Sequence, residues 1–150
     1  MATFLTSDAP FVLYEYLKEK IGLSWSEDLR VIGRVEDMKL TGVVGFNNYT
    51  GTSCQMHFAG EKVGWLTRQV IRESFRYAFE TLGCVVVYAS VPSGCQTALE
   101  IDRRLGFKDL AYLKGAHPDG GIYLLEMYKE QCRWIKQGDT YGRKVLAKCA

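Results

Sequence analysis

The sequence has no apolar run long enough to cross a bilayer: Val85 to Tyr88, among its longest, falls far short of the roughly 20 residues a span needs. Met1 to Thr6 lacks the charged opening of a secretory leader, so the expectation is a cytoplasmic protein with no membrane contact. Nowhere do five like charges follow one another, and 19 basic side chains against 17 acidic ones leave a formal charge of +2. A nucleic-acid-binding domain carries a clustered basic face, so that class falls away, whereas a modest basic patch still suits an anionic cofactor. The cysteines Cys54, Cys84, Cys95, Cys132 and Cys149 are odd in number, widely spaced and without a C-x-x-C, which excludes a zinc site or redox pair and predicts reduced thiols. No Walker loop, Rossmann fingerprint, Ser-His-Asp set or metal cluster is present. Internal repeats and low-complexity segments are absent too.

What is present is a core: 47% apolar and 13% aromatic residues in 150 make one domain, read as residues 1–136, with a looser tail at 137–150. Ser7-Asp8-Ala9-Pro10 reads as a helix start, and Phe11, Val12, Tyr14, Leu17 and Ile21 recur at helical spacing up to Gly22. A further short turn capped by Ser24 or Ser26 follows. From Leu29 the period changes to two, and strands at 29–35, 39–46 and 53–59, joined by short turns, form an antiparallel meander. The strongest helix signal runs from Leu66 to Leu82 and ends at Gly83, where a left-handed residue is expected. Cys84 to Ala89 then reads as a strand buried on both faces beside a parallel neighbour. A helix from Cys95 to Leu105, strands at 107–115 and 121–129, and one helical turn over 130–136 complete the chain. The fold class is α/β with a mixed sheet, a central strand-helix-strand crossover and helices on both faces.

Two segments carry a resemblance. Ala98-Leu99-Glu100-Ile101-Asp102-Arg103-Arg104-Leu105-Gly106-Phe107 resembles the helix ending A-I-x-L-Y-x-x-L-G-F of the GNAT superfamily of acyl-CoA-dependent N-acyltransferases. Trp65-Leu66-Thr67-Arg68 through Gly83-Cys84 is similar to the cofactor helix and following strand of bacterial and phage relatives of the ribosomal-protein N-acetyltransferases, and Glu130 to Trp134 closes the domain as theirs does. The resemblance spans about residues 5 to 135 and implies the acyl-CoA N-acyltransferase fold, acetyl-CoA or coenzyme A as substrate, and a bacterial or phage-infected host cytoplasm.

It also implies site residues. Coenzyme A phosphates need backbone amides, which a helix N-terminus supplies, and the turn with Lys62, Gly64, Trp65, Leu66, Thr67 and Arg68 stands where the family's R/Q-x-x-G-x-G/A loop would be. In one register Lys62 takes the basic position and Trp65 and Thr67 those of the small residues; shifted by one, Gly64 becomes the first glycine. The turn is therefore either a phosphate cradle or a plain turn with Trp65 packed as a staple. Phe58 and Ala59 end the strand whose backbone N–H would polarise the thioester carbonyl. Cys95 stands where the family has a cofactor-holding asparagine, and Asp102 where it has the tyrosine that protonates the thiolate. An ionised carboxylate there would be a poor donor.

His57, at the parity of Gln55 and opposite Cys54, Met56 and Phe58, is the candidate catalytic base, its alternative being a hydrogen-bonded histidine on a sheet face. Ser90 is either a cleft lining or an ordinary strand end, Tyr112 and Tyr123 are expected in packing, and His117 on the surface. The leading expectation is an acetyl-CoA-dependent N-acetyltransferase acting on a primary amine of a protein or small molecule. Its alternative is a non-catalytic protein of the same fold, a phage virion-associated or interaction protein. Tyr141, Val145 and Leu146 in the tail offer a surface for a homodimer.

Overall fold

The computed structural model describes residues 3–135. The tail, with Cys149, Tyr141, Val145 and Leu146, lies outside the described residues, as does Lys136. The order is β1 (Thr3–Thr6), α1 (Pro10–Ile21), β2 (Arg30–Glu36), β3 (Lys39–Asn47), β4 (Ser53–Gly60), α2 (Arg68–Arg76), β5 (Val86–Pro92), α3 (Gln96–Leu105), β6 (Lys108–Lys114) and β7 (Gly121–Tyr128). The strands form one seven-stranded sheet in the order β1-β2-β3-β4-β5-β7-β6, antiparallel except for the central pair β4 and β5. The expected meander, crossover and two-faced helix cover are all there.

Each face has its own core. Leu13, Tyr14 and Leu17 of α1 bury against Leu29, Val31, Val43 and Ala59 on one side. On the other, Val70, Ile71 and Phe75 of α2 and Leu99 and Leu105 of α3 join Phe46, Met56, Val87 and Leu125 of the sheet. The alternation in β4 follows from this: Cys54 and Met56 are buried against α2 and α3, while Gln55 and His57 face the α1 side half-buried.

Several expectations are corrected. The four-residue β1, which pairs antiparallel with β2, was too short and too exposed to show a period. α1 begins from Ala9 in the left-handed region with no side-chain cap, so Ser7 and Asp8 do not cap it. Its inward stripe is Leu13, Tyr14 and Leu17, which leaves Phe11 67% and Val12 61% exposed; Phe11 instead stacks on Trp25. The 23–28 segment is fastened by the Ser26 hydroxyl, 2.7 Å from the Asp28 carboxylate, and is not helical. The helical signal up to Leu82 is α2 continued by a wider π turn over Tyr77–Thr81, and Gly83 follows at φ 73°. β5 is not buried on both faces throughout, since Tyr88 and Ser90 are half-exposed, although the parallel neighbour is real. The closing turn is 3-10 over Lys129–Gln131. Tyr112 and Tyr123 pack on each other with centroids 4.7 Å apart, but Tyr112 stays half-exposed on the edge strand.

One packing detail shapes everything near the crossover. Gly42 of β3 and Gly60 of β4 are register partners, and the Trp65 indole lies over both. A methyl group at either position would overlap the ring, whereas Gly64 has open space around it. Gly42→Ala is expected to cost about 2 kcal/mol through overpacking, and Gly64→Ala less than about 0.5 kcal/mol, as read by urea denaturation. Equal effects would count against an indole seat on the glycine pair.

Candidate functional site

The parallel pair β4 and β5 is bonded only at its start. Ser53 faces Val86, Cys54 faces Val87 and Gln55 faces Tyr88, after which β4 runs on to Gly60 and β5 to Pro92 without further pairing. The strands part, and α2 and α3 both begin at the parted end. The Thr52 carbonyl accepts from Val85 and Val86, so strand alternation turns the main chain of Cys54, Met56 and Phe58 towards β5. The last rung occupies the Met56 N–H. The Met56 C=O and the Phe58 N–H and C=O then point into the split with no ladder partner. A segment of ligand backbone or amide chain can complete that edge.

The turn after β4 stands beside the split. The Glu61 N–H donates to Thr41, and the Glu61 carboxylate takes the Tyr16 hydroxyl at 3.1 Å and Lys20 at 3.2 Å, which anchors the turn to α1. Burial, then the Glu61 bond, raises the Tyr16 hydroxyl well above its ordinary value, so it stays a donor. Trp65 and Thr67 use their own N–H groups within the turn, and Thr67 caps α2 by accepting from Val70 at 3.3 Å. The N–H groups of Arg68 and Gln69 stay unused in the first turn of α2. Lys62 and Arg68 are exposed beside them, and Leu66 packs on the core. Trp65 is buried on its glycine floor, turned into the sheet and away from the mouth of the turn.

His57 sits at the edge of the split on the α1 face. Its Nε2 lies 2.7 Å from Oδ1 of Asn47, an atom that only accepts, so Nε2 carries the proton and Nδ1 holds the basic lone pair. Burial lowers its pKa to about 4, which keeps the ring neutral at physiological pH. Asn47 is buried and was read in the sequence as part of a turn; the signal for its role was its position directly beyond the Phe46 strand, two rungs from His57.

On the opposite face, Asp102 occupies the sheet-facing stripe of α3 with Leu99 and Leu105 and is only 6% exposed. Its carboxylate makes no hydrogen bond or ion pair with the described residues. Burial pushes its pKa up to about 7, so the expectation of a fully ionised carboxylate is corrected: near neutrality about half of it carries a proton. α3 returns along β5, so from Gln96 to Asp102 it covers about 9 Å at 1.5 Å per residue, matching about 10 Å from Pro92 back to Ala89. Asp102 thus lies two turns into the helix that packs back on β5. Cys95, at the start of α3, is exposed and makes no capping bond. Ser90 is half-buried on the α1 face of β5, and His117 caps its own turn by accepting from Asp119 at 3.1 Å.

The remaining candidates lie elsewhere. A cavity of about 160 Å³ lined by Asp28, Arg30, Phe46, Tyr49, Cys54 and Leu82 opens at the other end of β4. Cys54, Cys84, Cys95 and Cys132 form no disulfide with one another, and no metal-binding group occurs among the described residues. No described helix is long and apolar enough to cross a membrane.

A split parallel pair inside an otherwise antiparallel sheet, with a helix opening at the split, defines the acyl-CoA N-acyltransferase fold. No family model and no curated protein matches the chain. Among solved structures, a point variant of spermidine N-acetyltransferase SpeG from Vibrio cholerae is similar at TM-score 0.72 and 12% identity, over 91% of this chain and 98% of that one. The same enzyme in complex with CoA and spermine gives TM-score 0.68 at 13% identity, over 86% and 96%. A dodecameric form gives 0.68 at 13%, over 85% and 94%. At such identities the likeness is one of fold.

His57 and Asp102 bend stability in opposite directions. Unfolded histidine takes its proton near 6.5 and folded His57 only near 4, so that group loses stability as pH falls through this window. Unfolded Asp releases its proton near 3.8 and folded Asp102 near 7, so this group loses stability as pH rises through that window. Asp102→Asn is expected to be more stable than the parent at pH 8, by up to about 4 kcal/mol, and to show little gain at pH 4. Thermal melts at both pH values check this; a gain that does not depend on pH overturns it.

Proposed function

We propose that this chain is an acetyl-CoA-dependent N-acetyltransferase acting on a primary amine of a protein or small molecule in the cytoplasm of a bacterial or phage-infected cell. The observation that carries the reading is the unpaired edge of β4 in the split, with the Phe58 N–H facing it beside the open N-terminus of α2. Acetyl-CoA supplies an activated acetyl group as a thioester. The fit is chemical: amide-bearing pantetheine suits the free Met56 and Phe58 groups, and the phosphates suit the N–H groups of Arg68 and Gln69 with Lys62 and Arg68 as counter-charges. Residues 58–60, 62 and 64–68 form that side of the site, and Cys95 borders it.

The Phe58 N–H stabilises charge developing on a carbonyl oxygen placed in the split. His57, fixed by Asn47, presents neutral Nδ1 as the proton acceptor for the attacking amine, directly or through water. The neutral form of Asp102 gives a proton to the leaving sulfur, whose thiol has a pKa of about 8.5. The resulting chemistry is direct transfer, with the amine entering from the His57 face and the thioester lying on the Asp102 face.

Calorimetric titration with acetyl-CoA tests the reading. Binding is expected at micromolar to millimolar ligand, with Lys62→Ala plus Arg68→Ala weakening it about tenfold or more. No heat at millimolar ligand would overturn the reading in favour of a non-catalytic protein of this fold, which the shortage of glycine in the turn and Cys95 would then suit. In turnover, the wild type should lose kcat as Asp102 ionises above about pH 7, and Asp102→Asn should fall about 10²-fold and lose that limb of the profile. A homodimer through the tail is part of the same proposal, read by light scattering of the chain with and without residues 137–150.

A further inference from the structure

α1 packs on β2, β3 and β4, and α2 and α3 pack on the opposite face, so on the α1 side β5, β7 and β6 have no described helix over them. One line of register partners crosses this face: Asn47 with Gln55, Gln55 with Tyr88, Tyr88 with Glu126, and Glu126 with Lys108. Partnered residues project to the same face, and the His57–Asn47 bond, together with Leu17 of α1 lying against Gly45, fixes which face it is. A sheet face built only for packing is apolar at such positions. This one is polar across five strands.

Gln55, Tyr88 and Glu126 are half-buried, and their side chains form no hydrogen bond or ion pair within the described residues. Glu126 is the only carboxylate that strand alternation puts on this face of β4, β5, β7 and β6. Asp109 of β6 pairs with Leu125 and is taken up by Arg103 on the α3 side at 2.6 Å. Lys108 is exposed at the sheet edge and forms no ion pair with its partner Glu126. A partly desolvated carboxylate with no donor and no counter-ion is stabilised by any cation that reaches it.

We propose that Gln55, Tyr88 and Glu126 form the seat for an acceptor amine that carries a second cationic nitrogen, with Glu126 as its counter-charge and the reacting nitrogen at the split beside His57. The inference rests on the N-acetyltransferase reading for the role of the split. The reacting nitrogen has to be neutral when it attacks, so the charge that Glu126 meets belongs to another centre. Glu126 stands about one and a half strand spacings, or 7 Å, across from the split, and His57 lies two residues, about 7 Å, further along β4 than the Glu126 rung, so the two points are about 10 Å apart. An extended 1,7-diaminoheptane has about that separation between its nitrogens. The Tyr88 ring, between the two points, covers the methylenes and offers its face to the cation.

The test uses the full chain without acetyl-CoA, titrated separately with 1,7-diaminoheptane and n-heptylamine and followed in amide NMR spectra. The diamine is expected to move the Gln55, Tyr88 and Glu126 signals and to bind at least tenfold more tightly than the monoamine. Glu126→Gln should abolish that preference and Glu126→Asp should retain part of it, both with unchanged melting curves. Equal affinities, a preference that survives Glu126→Gln, or shifts confined to other strands would overturn the proposal. Acetyl-CoA binding, measured separately, bears on the N-acetyltransferase reading alone: its failure would leave the cation seat to stand or fall by the diamine titration.

Discussion

The candidate site of this molecule depends on a ladder that stops early. β4 and β5 share only the rungs from Ser53 to Gln55, and the main chain beyond is held from the outer sides alone, β4 by β3 and β5 by β7. An interior strand pair that parts leaves polar main-chain groups facing a gap in the centre of the sheet, where a continuous ladder would bury them. The antiparallel neighbours make this tolerable, because each parted strand keeps a full ladder on its other side. The helices that open at the gap then place their free N–H groups and nearby cations around one mouth.

The two faces of the sheet at that level are electrically distinct. His57 sits under α1's side with its proton fixed by Asn47, while Asp102 sits among Leu99, Leu105 and the α2–α3 core with no partner. Burial acts on both, but it disfavours the charged form of each and so moves the base down and the acid up. The result is a neutral imidazole on one face and a carboxyl held partly neutral on the other, obtained from low polarity alone with no ion pair at either residue.

Much of this was legible in the residues, and the exceptions have physical causes. Strands β2 and β4 were readable because their burial alternates, whereas β3 is buried on both faces from Gly42 to Asn47 and was readable by its continuity with them. The parity of His57 was readable for the same reason. Phe11 and Val12 were misread as inward because α1 carries two apolar stripes, and only packing on Gly33 and Gly45 decides for the stripe with Leu13 and Leu17. Asn47 was placed in a turn, and its bond to His57 shows only once the β3–β4 register sets the two residues two rungs apart. The acidity of Asp102 was read as ordinary because local sequence does not report burial. The polar line through Glu126 needs the register of five strands at once, which no window along the chain contains.

The Trp65 seat carries a consequence for how such a site is written in a chain. The acyltransferase loop is usually expected to keep its own backbone accessible by having no side chains of consequence. Here the loop keeps a large one, and the missing volume has been moved to Gly42 and Gly60 of the strands beneath, so that the ring sinks into the sheet and leaves the helix entrance clear. The space left at the helix entrance is thus a property of the loop and its floor together. A pattern confined to the loop's own letters would not register what Gly42 and Gly60 contribute.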